Sequence, residues 1–307
     1  MILSVDGSYM LHRARHVSGK NDTPTKGHVV LLFMRLLIGV AEKFNPDQIY
    51  VYFDRGRSVH RRQIHEKYKA QRKRDPDDLT LVAYEEARTF LVEHLPSLGV
   101  ISVLEDGIEA DDFAYLLAAT NDGPGVHVSD DKDWYLNIFP NWHLYRAKAD
   151  ELVSYEDLCT LVESEENPRL IYLMTRAMIG DKSDNIAGLR GFGWKTALPL
   201  ATKLINKEPL GDGAKAKSLD KGMKIVKRNM SVMNPSWILH DENAKAIINE
   251  AEQKVVAVEN PLESWVAFVN LLDSEHKAAL MNFWNRYNRL ARSLNNGHEP
   301  TPGLSKR

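Results

Sequence analysis

Apolar residues in the first 135 positions gather in short continuous runs, and each run leads into acid. Ile2-Leu3-Ser4-Val5 ends at Asp6, and 49–53 (Ile-Tyr-Val-Tyr-Phe) ends at Asp54. The run 100–104 leads to Glu109, Asp111 and Asp112, and Val126-His127-Val128-Ser129 leads to Asp130, Asp131 and Asp133. Runs of this length without period-two alternation predict strands buried on both faces, as in a parallel sheet. Between them the spacing turns helical. A helix is predicted over 29–44, stopped by Asn45-Pro46-Asp47, another over 79–95 after the turn 74–78, and a third over 109–120 that buries Phe113, Leu116 and Leu117. Alternating strands and helices predict an α/β fold with a central, mostly parallel sheet and flanking helices. Beyond about residue 152 the pattern is helical, over 155–166, 169–179, 195–206, 221–233 and about 244–294. The chain therefore divides into an α/β part, 1–150, and a helical part, 151–294. A polar tail, 295–307, follows.

The acids matter because of where the strands would put them. In an open α/β sheet, ligands bind beyond the carboxyl ends of the strands. Carboxylates converging there repel one another and stay ionised only with cations nearby. Oxygen ligands suit Mg²⁺ or Mn²⁺. A fifth block, Asp181 and Asp184, precedes the turn Gly188-Leu189-Arg190-Gly191-Phe192-Gly193-Trp194-Lys195-Thr196. Its glycines allow close backbone approach to phosphate, and the following helix start offers free N–H groups beside Lys195. Any one Asp at a helix start reads as a cap, but five such blocks in register with the strand ends point to metal-dependent phosphate chemistry. Asp112, Asp130 and Asp181 are the weaker members. Two dications about 4 Å apart would hold a scissile phosphate and activate water.

Net charge adds little by itself. The 307 residues sum to −2. The distribution is uneven, however. Arg55, Arg57, Arg61, Arg62, Lys67, Lys69, Arg72, Lys73 and Arg74 face only Asp54 and Glu66, and a second basic run holds Lys215, Lys217, Lys221, Lys224, Lys227 and Arg228. Such local stripes are the footprint of a nucleic-acid partner. No run of about 18 apolar residues is present, so a membrane span is not expected. The opening residues lack the basic start of a signal peptide. The single cysteine, Cys159, excludes an intrachain disulfide and fits a reducing compartment. His12 and His16 lack further ligands for zinc. His60 and His65 read as phosphate contacts or solvated groups, and Trp134, Tyr135 and Trp142 as packing.

Taken in order, Val5-Asp6-Gly7-Ser8, Tyr52-Phe53-Asp54, Arg61 with 68–72 (Tyr-Lys-Ala-Gln-Arg), Glu109-Ala110-Asp111-Asp112, 129–133 and 180–197 resemble the 5′-nuclease family of flap endonucleases and 5′→3′ exonucleases. That family includes the nuclease domain of bacterial DNA polymerase I and free-standing phage enzymes, and the likeness covers roughly residues 1–205. It implies a 5′-nuclease fold with a helical arch about 57–95 and a helix–three-turn–helix about 170–206. It implies a stand-alone, monomeric enzyme in a bacterial or phage-infected cytoplasm, with a role in replication or repair. Its substrates would be 5′ flaps, nicked or recessed duplex DNA, and possible RNA of RNA–DNA primers. Asp6, Asp54, Glu109 and Asp111 would hold one Mg²⁺ with Asp112 close by. Asp131, Asp133 and Asp184 would hold the second, with Asp181 near. Lys69 and Arg61 would reach the scissile phosphate, supported by Arg72, and Tyr68 would stack on the displaced nucleotide. Gly188, Leu189, Gly191, Phe192 and Gly193, with Lys195 and Thr196, would contact duplex, and carbonyls of Leu189 and Phe192 would hold K⁺. Lys215 and Lys217 would extend that contact. Asp130 departs from the family pattern, as do Ala187 and Trp194, which stand where bacterial members carry prolines. The arch is short, which leaves threading of a 5′ end open. A PIN-like ribonuclease, a non-catalytic junction binder and a replication adaptor are the competing readings.

Overall fold

The computed structural model describes residues 1–18, 25–72, 78–255 and 257–296. The buried runs become strands: β1 (Ile2–Asp6), β2 (Gln48–Arg55), β3 (Ile101–Asp106) and β4 (Gly125–Val128). Two strands the pattern did not show, β5 (Trp142–Arg146) and β6 (Glu151–Val153), complete a six-stranded sheet of order β3-β2-β1-β4-β5-β6. Every pairing is parallel except β5 with β6. The chain steps outward from β1 to β2 to β3, then returns to β4 on the other side of β1. That reversal opens a crevice beyond the carboxyl ends of β1 and β4, the position where such sheets bind ligands.

Helices cover both faces. On one lie α1 (Gly7–Ser18), α2 (Lys26–Phe44) and, after the short α3 (Val59–Ile64), α4 (Leu79–His94). Thr25 caps α2 by accepting the His28 N–H, and Asn45 ends it in the left-handed conformation, φ 46°. Asp78 caps α4 through the N–H groups of Thr80 and Leu81. Helix α4 buries Ala83, Tyr84, Ala87, Phe90 and Leu91 in the core it shares with α2. On the opposite face lie α5 (Ala110–Thr120), α6 (Tyr155–Leu161) and α7 (Pro168–Ile179). The two-stranded β7 (Gly180–Asp181) and β8 (Ile186–Ala187) then lead to α8 (Trp194–Ile205), α9 (Ala214–Met233) and α10 (Glu242–Gln253). The last helices, α11 (Pro261–Asn270), α12 (Ser274–Met281) and α13 (Trp284–Asn296), return to the first face. Both cores thus draw on residues from either side of position 150: one joins 153–251 to β1–β3, the other joins 258–294 to α1, α2 and α4.

Helix α9 starts seven residues ahead of the sequence-predicted 221, and α6 stops at Leu161 rather than 166. The expected polar tail lies outside the described residues apart from Asn295 and Asn296, which close α13. The turn 74–77 and the basic Lys73 also lie outside them. Among the described residues no helix is long and apolar enough to cross a membrane.

Candidate functional site

Each acid is fixed by the way its strand ends. Asp6 closes β1, and its carboxylate accepts from the Tyr9 N–H at the start of α1 (2.8 Å) and from Ser129 Oγ beyond β4 (2.8 Å). Asp54 accepts from the Ala110 N–H at the start of α5 (2.7 Å), while its own N–H donates to Ser8 Oγ (2.7 Å). Asp131 accepts from the Asp133 N–H (3.1 Å) as the chain enters a 3-10 turn, Lys132–Asn137. Asp6, Asp54, Glu109, Asp111, Asp131 and Asp133 thereby line one cavity of about 40 Å³ with Lys69, Ala110 and Trp134. That is room for ions and water, not for a base.

Crowding shows in the acids' protonation. Burial, then the Asp54 charge, pushes Asp6 well above the usual carboxylate range. Burial and Glu109 raise Asp54, and burial and Asp131 raise Asp133 to about 7. Glu109 goes the other way: burial would raise it, but Lys69 and Arg61 outweigh burial and hold it at about 2. Lys69 Nζ lies 2.7 Å from Glu109 Oε2 and 3.9 Å from Asp184 Oδ2. Burial would favour the neutral amine, yet these acids and Asp54 keep it charged. Lys69 sits in the left-handed region, φ 51°, uncommon for lysine. Its N–H donates to the Asp184 carbonyl (3.0 Å), which holds that turn and aims the amine into the cavity.

The remaining acids stand behind this ring. Asp184 accepts from Arg72 Nη2 (2.7 Å) and reaches the cavity through Lys69. Asp181 accepts from Ser183 and from Arg176 Nη2 (2.7 Å), and that same nitrogen donates to Asp133 (3.2 Å). Asp112 is fully buried and turned away from the cavity, accepting from Arg61 (2.8 Å), Trp237 Nε1 (3.1 Å) and the Glu109 N–H (3.3 Å). It braces the site and has no free face for a metal. Asp130 is also elsewhere, accepting from Tyr9 Oη and the Lys148 N–H.

The same geometry buries two expected substrate contacts. Arg61 is 3% exposed, and its guanidinium is spent on Glu109, Asp111, Asp112 and the Val232 carbonyl. It holds the acids in place. Tyr68 is 2% exposed, and its hydroxyl donates to Glu109 (2.8 Å), so its ring has no face for a nucleotide. Of the basic trio, Lys69 lines the cavity and Arg72 is exposed beside it.

The glycine turn is built by backbone contact. A Cβ at Gly188 would lie 1.9 Å from the Ile179 carbonyl oxygen, so only glycine lets β8 meet the end of α7. Gly191 has φ 74°. Leu189 and Phe192 bury their side chains, and the Leu189 carbonyl accepts from the Phe192 N–H (3.1 Å). Gly193 caps α8, with Lys195 exposed and Thr196 half-buried in its first turn. Lys215 Nζ donates to the Gly191 carbonyl (2.8 Å) and lies 5.2 Å from the Phe192 ring centroid. Lys217 is exposed one half-turn on.

Sequence reasoning missed Arg176 and Trp237, and it gave no role to Ser8 and Ser129 within the motifs that hold them. Arg176 sits among apolar residues of α7, four positions before Gly180, a spacing that carries no signal of its own. Trp237 falls between the predicted helices 221–233 and 244–294, in the C-terminal region that the family resemblance does not cover. His60 stacks on Trp237 (centroids 4.4 Å apart), and His65 Nε2 pairs with the Asn185 carbonyl. Trp134 and Trp142 are core.

Residues 1–163 match the family model described as 5′-3′ exonuclease, N-terminal resolvase-like domain. The chain belongs to the 5′-3′ exonuclease family. It is a nuclease, 27% identical over 220 residues to a 5′-3′ exonuclease of Mycoplasmopsis pulmonis, covering 71% of either chain. A 5′-3′ exonuclease of Aquifex aeolicus is 30% identical over 207 residues, 65% of this chain and 68% of that protein. DNA polymerase I of Rhizobium leguminosarum is 28% identical over 212 residues, which are 64% of this chain but 20% of the polymerase. In fold the nuclease is similar to the bacteriophage T5 flap endonuclease in a complex with DNA and metal ions. The TM-score is 0.65 at 18% identity, covering 86% of this chain and 98% of that one. A zinc-bound T5 5′-exonuclease gives 0.65 at 19%, covering 83% and 97%.

Proposed function

We propose that this nuclease is a divalent-metal-dependent, structure-specific 5′-nuclease. It hydrolyses phosphodiester bonds of 5′ flaps and of nicked or recessed duplex DNA in the 5′→3′ direction. The observation that carries the reading is the ring of six carboxylates and one lysine around a small polar cavity at the strand ends. Burial and mutual repulsion raise Asp6, Asp54 and Asp133, so the site is short of positive charge. An all-oxygen donor set in that condition fits Mg²⁺, with Mn²⁺ able to substitute. Asp6, Asp54, Glu109 and Asp111 would hold one ion. Asp131 and Asp133 would hold a second, with Asp184 adjacent and Asp181 acting through Arg176. Bound there, the dications would supply a hydroxide-like nucleophile and neutralise charge on the phosphate.

The protein's own groups then do the positioning. Lys69, kept protonated by Glu109 and Asp184, is the cation at the cavity mouth that can donate to a non-bridging phosphate oxygen. Arg72 stands beside it and draws in the anionic strand. Arg61 keeps Glu109 and Asp111 in place between turnovers. The duplex is held at a distance by the N-terminus of α8, with Lys195 and Thr196, and by Lys215 and Lys217 on α9. A K⁺ on the carbonyls of Leu189 and Phe192 would add to the cation already there, the Lys215 ammonium on Gly191. The stretch 57–72 with α4 is the candidate arch over the cavity. Removal of RNA from RNA–DNA primers, in replication or repair, follows if the site tolerates a 2′-hydroxyl.

The test is a 5′-labelled flap duplex, with a parallel RNA–DNA flap, incubated with Mg²⁺ or with chelator. Metal-dependent release of a short 5′ product near the junction is expected. Tight junction binding without cleavage in Mg²⁺ or Mn²⁺ would replace this reading with that of a binding module.

A further inference from the structure

A second cluster of metal-binding side chains lies on the first face of the sheet, where α12 meets the first turn of α2. One donor atom from each of His28, Glu275 and His276 lies within 4.8 Å of the other two. Each ring already has one nitrogen engaged. His28 Nδ1 pairs with Thr25 Oγ1 at 3.1 Å, and His276 Nδ1 pairs with Asp273 Oδ1. The nitrogen left on each ring is Nε2. On His276, which is 2% exposed, that atom is buried and has no hydrogen-bond partner among the described residues. A buried polar atom without a partner costs about 1–3 kcal/mol and is a mark of a missing ligand. The arrangement around it is also that of a metal-binding histidine, whose outer nitrogen is held by a carboxylate that fixes tautomer and ring direction. Gly27 makes the approach feasible, because a Cβ there would lie 2.5 Å from His276 Nδ1. His28 is half-buried and Glu275 exposed, so the cluster is open to solvent on one side.

We propose that His28, Glu275 and His276 form a zinc site that clamps α12 to the start of α2. Two imidazoles and one carboxylate are donors zinc accepts, and with three protein ligands the fourth corner of its tetrahedron would go to water on the side open to solvent. The oxygen-only catalytic cavity favours Mg²⁺ instead. The two sites are separate, since the cavity's lining shares no residue with this cluster. The clamp joins helices that are far apart in sequence, so its expected effect is on stability rather than on turnover.

The probe is Zn²⁺ alone, titrated calorimetrically into full-length protein carrying Asp54→Asn, Asp111→Asn, Asp131→Asn and Asp133→Asn, which weakens zinc binding at both halves of the catalytic cavity. One equivalent is expected, with a rise in melting temperature. His28→Gln and Glu275→Gln, each added separately, should weaken that equivalent by at least tenfold and abolish the thermal shift. In the wild-type background the same two variants should leave Mg²⁺-dependent cleavage unchanged. Co²⁺ in place of zinc should give visible absorption bands of a four-coordinate ion that His28→Gln removes. Zinc affinity and thermal shift unaltered in both variants, or no zinc bound outside the cavity, would overturn the site. Because Glu275 is exposed, its replacement gives a reading even if His28→Gln fails to fold.

Discussion

Arg61 and Lys69 are eight positions apart in one basic stretch, yet burial gives them different work. Arg61 pairs with three carboxylates and a carbonyl. Arg61→Ala would leave Asp112 buried beside Glu109 with no counter-charge, so a loss of about 3–5 kcal/mol in urea-unfolding stability is expected. Lys69 instead ends in the cavity. Lys69→Ala should lower kcat by about 100-fold or more in single-turnover assays and, because Glu109 keeps its pairing with Arg61, cost less unfolding stability than Arg61→Ala. If both variants lost activity and stability alike, this division would be wrong. Asp131→Asn removes one cavity carboxylate that is exposed and already at a turn. It should abolish cleavage, by about 100-fold or more, while flap binding measured by fluorescence anisotropy persists. The sequence showed every one of these charges but not which were spent. Asp112 and Asp111 are adjacent letters that both accept from Arg61, and only the turn of α5 sends Asp112 on to Trp237 and Asp111 to the cavity.

At the scale of elements, the strands and their order of appearance were legible because β1 to β4 are buried on both faces and so read as unbroken apolar runs. Strands β5 and β6 were not, since 142–153 mixes Trp142, His143, Arg146 and Glu151 at a sheet edge. The start of α9 was missed for a related reason: Lys215 and Lys217 flank Ala216, leaving little apolar periodicity to follow. The glycine turn and its flanking helices were legible, though not the β7–β8 pair at its start, and its consequence is measurable. Lys195 is exposed in the first turn of α8, where free N–H groups favour an anion. Lys195→Ala should weaken duplex binding and flatten the slope of log K against log salt by about 0.9, the loss of one phosphate contact. A slope equal to wild type would remove Lys195 from the duplex surface.

For the whole molecule, the acid ring carries a cost that depends on pH. A carboxylate whose pKa is higher folded than unfolded binds more protons in the folded state, so stability falls as pH rises through its folded value. Asp133, at about 7 folded against roughly 4 unfolded, places that fall between about pH 4 and 7, with its tail ending near pH 8. His127 works against it below about pH 6.5. Burial holds its ring neutral, at about 3, so stability falls on acidification once unfolded chains take up a proton near the ordinary histidine value. Chelator-treated protein should therefore melt at a higher temperature at pH 6.5 than at pH 8. Mg²⁺ should raise the pH 8 melting temperature more than the pH 6.5 one. A metal-free melting temperature that climbs steadily from pH 6.5 to 8 would contradict the placement of these acids.

The two cores on opposite faces of one sheet bear on how the chain is made. Residues 258–294 supply Trp265, Phe268, Leu280, Tyr287 and Leu290 to the face that holds α1, α2 and α4. A ribosome delivers that cover last, long after β1 and α2 have emerged. Until then the growing polypeptide carries a bare apolar flank on α2, the kind of surface that chaperones grip and that drives clumping. A premature stop near residue 255 would spare every acid of the catalytic ring and still yield a product prone to aggregate, so counting catalytic letters in a shortened gene would overstate what it can do.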